Sequence, residues 1–338
     1  MGLRFGVIGL GRMGYYHTVN ISRHLRDAEL VAVCDLSEAR ARDVAKELSV
    51  GSWYTNYNEM LKQEQLDAIL ITNTAAAHCQ TIEDACRAKV HIFCEKPTGI
   101  AAEELDRIDK AIAQNPGKVF QVGFARRFDP SYRLAKEKVE RGEIGKIIKI
   151  QSVNRDPAFL RADYARFGPG SGGMFFDQLV HDIDLIRWIT GAEVESAYTL
   201  GGIYAFDEFR AFDDIDNTVV SLSMSNGVMA IIEGSKNSTA GFHVWMEIMG
   251  TEGCLKIGPC GTGTLEICDS HGIRKEINQW VFDRFEDAYI NELQMFIQAV
   301  LNGTTEEVGA ADARASVEVA EMCKASYEEK RIVYRGEN

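Results

Sequence analysis

The sequence predicts an α/β domain with a doubly wound parallel sheet, followed by an α+β domain with a large, mostly antiparallel open sheet. The length of 338 residues suits two domains, at about 150 residues for each. Up to about residue 123, short apolar runs alternate with segments of helical period, which is typical of strands and their covering helices. Beyond that point the apolar runs are longer and alternate with polar residues. We therefore place the two domains at residues 1–123 and 124–338.

The first domain consists of strands and helices in alternation. The predicted strands are 3–8, 30–34, 68–72, 91–94 and 119–122. The predicted helices between them include 38–48, 76–88 and 102–114. Because these strands are apolar along their whole length, we expect a sheet that is buried on both faces.

The second domain begins with a helix at 131–141 and a strand at 146–153, and a long helix follows at 174–190. Alternating strands are predicted at 196–205, 218–225, 228–236, 243–249, 255–257 and 265–268. Asn226-Gly227 joins two of these strands and is the strongest short signal for a hairpin. Two closing helices are expected at 286–301 and 310–329.

The composition excludes several classes of protein. With 37 basic and 50 acidic residues, the formal charge of −13 disfavours a nucleic-acid partner, because such binding relies on basic groups. No run approaches the roughly 20 apolar residues that span a bilayer, so we expect no membrane association. The eight cysteines include no CxxC pair, which leaves zinc and redox motifs unsupported. We expect reduced thiols and a cytoplasmic protein.

A glycine-rich loop follows the first strand, with the pattern GxGxxG formed by Gly9, Gly11 and Gly14. The first glycine permits a tight turn, the second lets the backbone approach a pyrophosphate, and the third lets helix and strand pack closely. The helix that begins at Arg12 and Met13 presents its N-terminal amides to the phosphates. The loop therefore predicts a dinucleotide-binding site.

Asp35 ends the second apolar strand. A carboxylate at this position accepts hydrogen bonds from the adenosine ribose hydroxyls and repels a 2′-phosphate, which favours NAD as the cofactor. Arg40 and Arg42 lie nearby in the sequence, so NADP stays open as the less favoured cofactor. The structural alternative for Asp35 is a carboxylate that caps a loop.

Glu95-Lys96-Pro97 follows the strand at 91–94. Ligands of a doubly wound sheet bind at this end of its strands. A lysine here can bind a substrate hydroxyl and stabilise the negative charge that develops as a proton leaves. Pro97 biases Lys96 away from a helical conformation, which directs its side chain toward the crevice. An exposed turn is the alternative interpretation.

The helix predicted at 174–190 carries a second group of polar residues. Helical spacing places Asp177, His181, Asp184 and Trp188 along one face. The opposite face is an apolar stripe of Phe176, Leu179 or Val180, Ile183 and Ile186. Carboxylates flank His181 and could tune its basicity, which favours general acid/base catalysis. A metal site is not expected, because no third ligand has a suitable spacing.

Two further groups of polar residues are interpreted as structural or solvated. The histidines expected to be structural are His17, His24, His91 and His271. The acidic loop of Asp213, Asp214 and Asp216 could hold a cation, but we expect a solvated loop.

Taken together, these motifs resemble those of the glucose-fructose oxidoreductase, inositol dehydrogenase and MocA-like family, and within it the inositol dehydrogenases. The matching segments are the GRMG loop at 11–14, FCEKP at 93–97, VGFARRFDPSY at 122–132, NRDP at 154–157 and GGMFFDQLVHDIDLIRW at 172–188. The resemblance covers almost the whole chain. It implies a Rossmann domain that binds NAD, a second domain with an open sheet, and a homotetramer.

The resemblance also implies roles for individual residues in catalysis and substrate binding. Lys96, Asp177 and His181 match the catalytic trio of the family. Arg126 and Asp184 match positions that line the polyol site of inositol dehydrogenases. Asn154, which falls where some relatives carry His or Ser, is placed with them as a substrate residue, together with the trio itself.

Further residues are placed with the cofactor on the same basis. They are Thr72, Asn73, His78, Glu95 and Lys96, in addition to the glycine loop and Asp35. Asn73 departs from the Thr-Pro pair that is common in the family at this strand end. For His78, a structural residue at a helix start that bonds to neighbouring backbone is an equal alternative.

The activity implied by the resemblance is the NAD-dependent oxidation of a ring hydroxyl of a small cyclic polyol to a ketone, with myo-inositol as the expected substrate. One alternative is another inositol isomer, a pyranose or an anhydrosugar. Two others are NAD-assisted glycoside hydrolysis and a non-catalytic sensor of the same fold. The segment 240–243 replaces a tyrosine-bearing segment of the family, so the polyol stays open.

Overall fold

The computed structural model describes residues 2–167, 171–258, 261–270 and 272–337, so that Cys260 and His271 lie outside the described residues. The chain forms two compact units, one of residues 1–125 and 289–315 and the other of residues 126–288 and 316–338. The single boundary placed after residue 123 does not include the return of 289–315 to the first unit. Phe296 explains this return, because its ring packs against the rings of Phe5 and Phe93 in the core of that unit.

The first unit is built on a six-stranded parallel sheet. Its strands are β1 (Leu3–Ile8), β2 (Ala28–Cys34), β3 (Ser52–Tyr54), β4 (Ala68–Ile71), β5 (His91–Cys94) and β6 (Phe120–Val122). Its helices are α1 (Arg12–Arg23), α2 (Glu38–Glu47), α3 (Tyr57–Gln63), α4 (Ala75–Arg87) and α5 (Ala102–Ala113). The strand order is β3-β2-β1-β4-β5-β6, which confirms the doubly wound sheet. Sequence reasoning missed β3 and α3, because β3 is short and has no buried residue.

The centre of this sheet is buried on both faces, as the apolar runs predict. Every residue of β4 and the last four residues of β1 are buried. The strand order reverses between β1 and β4, and ligands of such sheets bind at the carboxyl ends of the strands at this switch point. The loops that follow β1 and β4 are therefore the expected ligand loops.

The second unit is built on a seven-stranded mixed sheet. Its strands are β7 (Ile147–Pro157), β8 (Val194–Gly202), β9 (Asn217–Met224), β10 (Met229–Ser238), β11 (His243–Gly250), β12 (Cys254–Ile257) and β15 (Val333–Tyr334). Two further strands, β13 (Gly261–Asp269) and β14 (Gly272–Ile277), form a separate two-stranded sheet. The strand order is β12-β11-β7-β10-β9-β8-β15. Only β7 and β10 pair in parallel within this sheet, so the prediction of a mostly antiparallel sheet is confirmed.

Helices complete the second unit. They are α6 (Pro130–Glu140), α7 (Arg161–Phe167), α8 (Val180–Thr190), and parts of α9 (Val281–Asn302) and α10 (Ala310–Glu329). Helix α9 has a kink at Phe285, where the backbone leaves helical φ and ψ. The two closing helices predicted from the sequence therefore exist, and each contributes residues to both units.

One face of the large sheet is buried and the other is exposed. In β9, Val220, Leu222 and Met224 are buried, whereas Val219 and Ser221 point to the exposed face. This alternation is the pattern of an antiparallel sheet with one face on the core.

The hairpin predicted at Asn226-Gly227 connects β9 and β10. Gly227 adopts a positive φ of +84°, which a residue without a side chain tolerates best. The side chain of Asn226 accepts a hydrogen bond from the N–H of Val228 at 3.2 Å, which fixes the turn.

The helix predicted at 174–190 is not one uniform α-helix. Residues Met174–Leu179 form a π-helical segment, and α8 follows it. A prediction that assumes a period of 3.6 residues cannot detect the wider π turn. Phe176, Leu179, Ile183 and Ile186 are all buried, as the apolar stripe predicts.

The expectation of a solvated acidic loop is wrong for two of its three carboxylates. Asp216 is fully buried and accepts the backbone N–H groups of residues 204–206 at 2.7 to 2.9 Å. Asp214 accepts the N–H of Met174 at 3.0 Å, at the start of the π-helical segment. Backbone N–H groups therefore take the place of water at Asp214 and Asp216. Of the three carboxylates, only that of Asp213 is exposed.

Candidate active site

The glycine loop has the geometry that a dinucleotide requires. Gly9 has a φ of +91°, and a Cβ there would lie 2.6 Å from the backbone of Asn73. A Cβ at Gly14 would lie 1.9 Å from the carbonyl oxygen of Gly9, so a larger residue would force the loop apart. At Gly11, no described atom lies within 4 Å of an added Cβ. The backbone before α1 is therefore open to a pyrophosphate, and the loop fits NAD.

Other side chains hold this loop in place. Thr72, which follows β4, donates its hydroxyl to the carbonyl oxygen of Gly9 at 2.7 Å. Arg40 donates its Nε to the carbonyl oxygen of Leu10 at 2.9 Å. Arg12 and Met13 occupy the first turn of α1, with Arg12 exposed.

Asp35 lies beside the glycine loop at the end of β2. Its carboxylate accepts the N–H of Leu10 at 2.8 Å and the N–H of Ser37 at 2.9 Å. Two backbone donors therefore fix the carboxylate, and each oxygen keeps a further lone pair for a ribose hydroxyl. The capping alternative and the cofactor role are both compatible with this geometry.

Hydrogen bonds connect the loops that follow β4 and β5. Asn73 donates its side-chain amide to the hydroxyl of Thr81 at 3.0 Å. His78 is buried, with Nδ1 2.8 Å from the carbonyl oxygen of Pro97 and Nε2 3.1 Å from that of Asn73. Burial lowers the pKa of His78, against the opposing effect of these carbonyl groups. Both ring nitrogens of His78 therefore face backbone carbonyl groups.

Lys96 follows β5 and is partly buried. Its backbone N–H donates to the carboxylate of Glu95 at 3.2 Å, and the Lys96-Pro97 peptide bond is cis. Glu95 is also bonded to His17 of α1, with Oε1 2.8 Å from Nε2. Sequence reasoning treated these two residues separately, because no local spacing connects them.

In the second unit, Asp177 lies beside a buried cation. The Nζ atom of Lys236 on β10 is 3.8 Å from Oδ2 of Asp177 and 3.1 Å from Oδ2 of Asp156. The Lys236 side chain is only 3% exposed, whereas that of Asp177 is 40% exposed. Burial on its own would lower the pKa of Lys236, but the two carboxylates raise it above its usual value. Lys236 is therefore a fixed positive charge beside Asp177.

Sequence reasoning missed Lys236, although a signal was present. In β10, Ala230, Ile232 and Gly234 face the core, and the period-two pattern puts Lys236 on the same face. A lysine at a buried position needs carboxylate partners, so the alternation of buried residues along β10 is a signal from which the ion pair of Lys236 could have been predicted.

Two consecutive arginines bind buried carboxylates of α8. Arg126 donates to Asp182 at 3.1 Å, and Arg127 donates its Nε to Asp184 at 2.8 Å. Asp182 also accepts the side-chain amide of Asn154 at 2.7 Å. All five side chains are nearly or fully buried.

The ion pair of Arg127 with Asp184 separates Asp184 from the polar helix face on which the sequence predicts it together with Asp177 and His181. Asp184 is 1% exposed and pairs with Arg127, whereas Asp177 and His181 are partly exposed. Asp177 also lies in the π-helical segment, where the residues per turn differ from those of α8. The structure does not place Asp184 in the partly exposed environment shared by Asp177 and His181.

A glycine loop open to a pyrophosphate, with a fixed carboxylate after the second strand, defines a protein of the NAD-binding Rossmann class. The chain belongs to the GFO/IDH/MocA oxidoreductase family. Residues 3–124 match the family's NAD-binding Rossmann fold, and residues 132–256 match its C-terminal domain.

The chain is similar along its whole length to several inositol dehydrogenases. A myo-inositol 2-dehydrogenase of Thermotoga maritima is 33% identical over 98% of each chain. The solved structure of myo-inositol 2-dehydrogenase from Lactobacillus plantarum matches with a TM-score of 0.96 at 34% identity and covers 99% of each chain. That of scyllo-inositol dehydrogenase from Lactobacillus casei, with bound NAD(H) and scyllo-inositol, matches with a TM-score of 0.95 at 33% identity over 99% of each chain. Within the described ranges, no helix is long and apolar enough to cross a membrane.

Proposed function

We propose that this protein is an NAD-dependent dehydrogenase that oxidises one ring hydroxyl of inositol to a ketone. The observation that carries the proposal is the Asp177 carboxylate beside the buried ammonium of Lys236, four residues before His181. The oxidation also needs a hydride acceptor, and the NAD-binding domain in the same chain would hold it. Relatives that share the whole chain length are named as inositol dehydrogenases.

Three residues of this chain have proposed roles in the reaction. His181 accepts the hydroxyl proton, Asp177 orients His181, and Lys96 stabilises the developing alkoxide. When bound, NAD supplies the acceptor for the carbon-bound hydrogen, which leaves as hydride. Arg126, Asn154 and Asp184, which the resemblance assigns to the substrate site, support the second unit through buried polar contacts, and we propose that their contribution to substrate binding is indirect.

The substrate isomer is a choice between two candidates. The similarity to a structure that contains scyllo-inositol favours a test of that isomer beside myo-inositol. Both isomers present a ring of secondary hydroxyls, so the same proton acceptor would serve either. We propose myo-inositol first, because the relatives from Thermotoga maritima and Lactobacillus plantarum both bear that name.

The decisive experiment is NADH formation by the purified protein with NAD and either isomer, followed by near-ultraviolet absorbance. We expect turnover, and we expect His181→Ala to lose at least about a hundredfold of it, since a positioned base contributes that much. Binding of NAD, measured separately by calorimetry, should be unchanged in His181→Ala. Absence of NADH while NAD still binds would contradict the proposal and favour a sugar substrate, or glycoside hydrolysis if an aglycone is released without net NADH.

We also propose that the protein is a cytoplasmic homotetramer that associates through the exposed face of the large sheet. That face carries exposed apolar side chains, including Leu200, Val219 and Met229. The cysteines in the described part of the chain are free thiols, which suits a reducing compartment. Light scattering on Val219→Lys against the unchanged protein tests the association, and an unchanged mass would contradict this face.

A further inference from the structure

A second cluster of titratable groups lies in the first unit, within its core. It consists of His17 on α1, Glu95 after β5 and Glu292 on α9, of which His17 and Glu292 are 0% exposed and Glu95 is 7% exposed. One ring nitrogen and one oxygen from each carboxylate lie within 4.8 Å of one another. The rings of Phe93 and Tyr289 pack on His17 at 5.5 and 5.8 Å. The surroundings are therefore apolar, and any charge in the cluster needs compensation.

Glu292 is the member of this cluster that lacks such compensation. Among the described residues, neither of its carboxylate oxygens has a hydrogen-bond partner. Nε2 of His17 is 3.9 Å from Oε1 of Glu292, too far for a hydrogen bond, and lies 2.8 Å from Oε1 of Glu95 instead. An ionised Glu292 would be a buried anion next to a second carboxylate, which is among the most costly arrangements in a protein.

The position of one proton decides the charge of Glu292. The contact of His17 with Glu95 uses one proton, and a second proton can lie on Nδ1 of His17 or on Glu292. Nδ1 has no acceptor among the described residues, so a proton there would leave a buried donor unsatisfied and Glu292 ionised. A proton on Glu292 removes the buried negative charge, which is the larger of the two costs. Burial and the neighbouring Glu95 raise the pKa of Glu292 well above its usual value, which agrees with this assignment.

A divalent cation would also neutralise the cluster, but the geometry favours a proton. A histidine that binds a metal donates its other ring N–H to a carbonyl or carboxylate in most sites. In the described part of this chain, Nδ1 of His17 has no such acceptor.

The carboxylate next to Glu292 is tied to a residue of the proposed reaction. Glu95 binds His17 through Oε1 and the backbone N–H of Lys96 through Oε2, at 2.8 and 3.2 Å. A Cβ at Gly123 would lie 3.1 Å from this carboxylate, so the glycine leaves room for it. A change in the charge or position of Glu95 would therefore move the backbone of Lys96.

We propose that Glu292 is a protonated carboxylic acid in the folded protein, which leaves Glu95 as the ionised carboxylate of the cluster, and that His17 is a positioning residue that holds Glu95 and, through it, the backbone of Lys96. The assignment of the proton is independent of the reaction, whereas the positioning role rests on the function proposed above for Lys96. The two parts are tested by separate measurements.

The proton is tested by infrared spectroscopy of the full-length protein in D2O at neutral pH. We expect the C=O stretch of a protonated carboxyl group in the spectrum of the unchanged protein minus that of Glu292→Gln. A carboxylate band in its place would overturn the proposal. One equivalent of divalent metal in the purified protein that is lost in Glu292→Gln would overturn it as well. Neither result requires turnover, so the failure of the proposed function would be seen separately.

The positioning role is tested by two variants of similar size. His17→Gln keeps a side-chain N–H that can donate to Glu95, and we expect kcat to fall less than about threefold, whereas His17→Met lacks the donor and should lose about tenfold or more. The KM for NAD should change little in either variant, because the glycine loop and Asp35 are untouched. Equal kcat values for the two variants would overturn the positioning role. The exposed His24→Met, just after α1, is the matched control and should leave kcat unchanged.

Discussion

The ammonium group of Lys236 lies 3.8 Å from the carboxylate of Asp177, and it is shielded from solvent on the core face of β10. Asp156 shares this cation at 3.1 Å, so one buried lysine holds two carboxylates of the second unit. The ring of Tyr164 lies 4.9 Å from the same ammonium and adds a cation–π contact. The proposed orienting carboxylate therefore lies beside a buried cation that a second carboxylate also binds.

Lys236→Met should lower both stability and activity. The substitution keeps the length of the side chain and removes its charge, which leaves Asp156 and Asp177 without their shared cation. We expect the free energy of unfolding to fall by about 1 to 2 kcal/mol, less than for a fully buried ion pair, because both carboxylates that remain are partly exposed. We expect kcat to fall at least about tenfold, since Asp177 would lose its fixed orientation. Urea unfolding and steady-state NADH formation measure the two effects.

The control for this prediction is Lys256→Met. Lys256 also pairs with a carboxylate, that of Glu247, but its side chain is 69% exposed. Exposed pairs contribute little, so neither the unfolding midpoint nor kcat should change measurably. If Lys236→Met left the unfolding midpoint and kcat as unchanged as this control does, the ion pair with Asp177 would contribute neither to stability nor to activity.

Asp35→Asn should relax the preference for NAD over NADP. Asparagine keeps an oxygen that can accept the N–H of Leu10, so the loop stays in place, but the charge that repels a 2′-phosphate is lost. We expect the ratio of kcat/KM for NAD to that for NADP to fall about tenfold or more, since a hydrogen bond to a charged group is lost as well. The exposed Asp43→Asn on α2 serves as the control. An unchanged ratio for Asp35→Asn would assign the carboxylate a purely capping role.

The parts of this molecule that the sequence predicts well depend on local spacing. The glycine loop needs small residues at three nearby positions, and the structure shows the reason at Gly14, where a Cβ would meet the Gly9 carbonyl group. The parallel strands and their helices follow from apolar runs and helical period in the same way. Such patterns are visible without knowledge of any distant contact.

The parts that could not be predicted depend on residues far apart in the sequence. Nothing near Asp177 in the sequence indicates Lys236 as its partner, and nothing near Glu95 indicates Glu292. The π-helical segment at Met174–Leu179 begins with a residue whose backbone N–H donates to Asp214, which lies 40 positions later in the chain. The return of 289–315 to the first unit likewise follows from packing in its core rather than from a local signal.

Arg127 and Asp184 allow a test of whether Asp184 is a structural or a substrate residue. Arg127→Met should lower the free energy of unfolding by about 3 kcal/mol, because it removes one guanidinium from the buried carboxylate of Asp184. In the double variant Arg127→Met with Asp184→Leu, both charges of this pair are removed, so we expect at least half of this loss to be recovered. A double-mutant cycle by urea unfolding measures the coupling. If the double variant regains stability but its KM for inositol rises more than about tenfold, Asp184 also contributes directly to the substrate site.

Asp216→Asn should destabilise the protein in a pH-dependent way. Burial on its own would raise the pKa of Asp216, but the backbone N–H groups of residues 204–206 and the Asn217 side chain hold it below the usual 3.8. A carboxylate with a lowered pKa in the folded state stabilises the protein above the unfolded value, and this contribution is lost as the pH falls through the folded value. At neutral pH we expect the substitution to cost about 2 kcal/mol, since asparagine accepts these bonds less well than a charged group. As the pH falls below 3.8 the difference from the unchanged protein should shrink, because Asp216 of the unfolded chain is protonated first, and it should disappear at the lower pKa of the folded state. Urea unfolding of both proteins across this range checks the prediction, and a difference that stays constant with pH would contradict it.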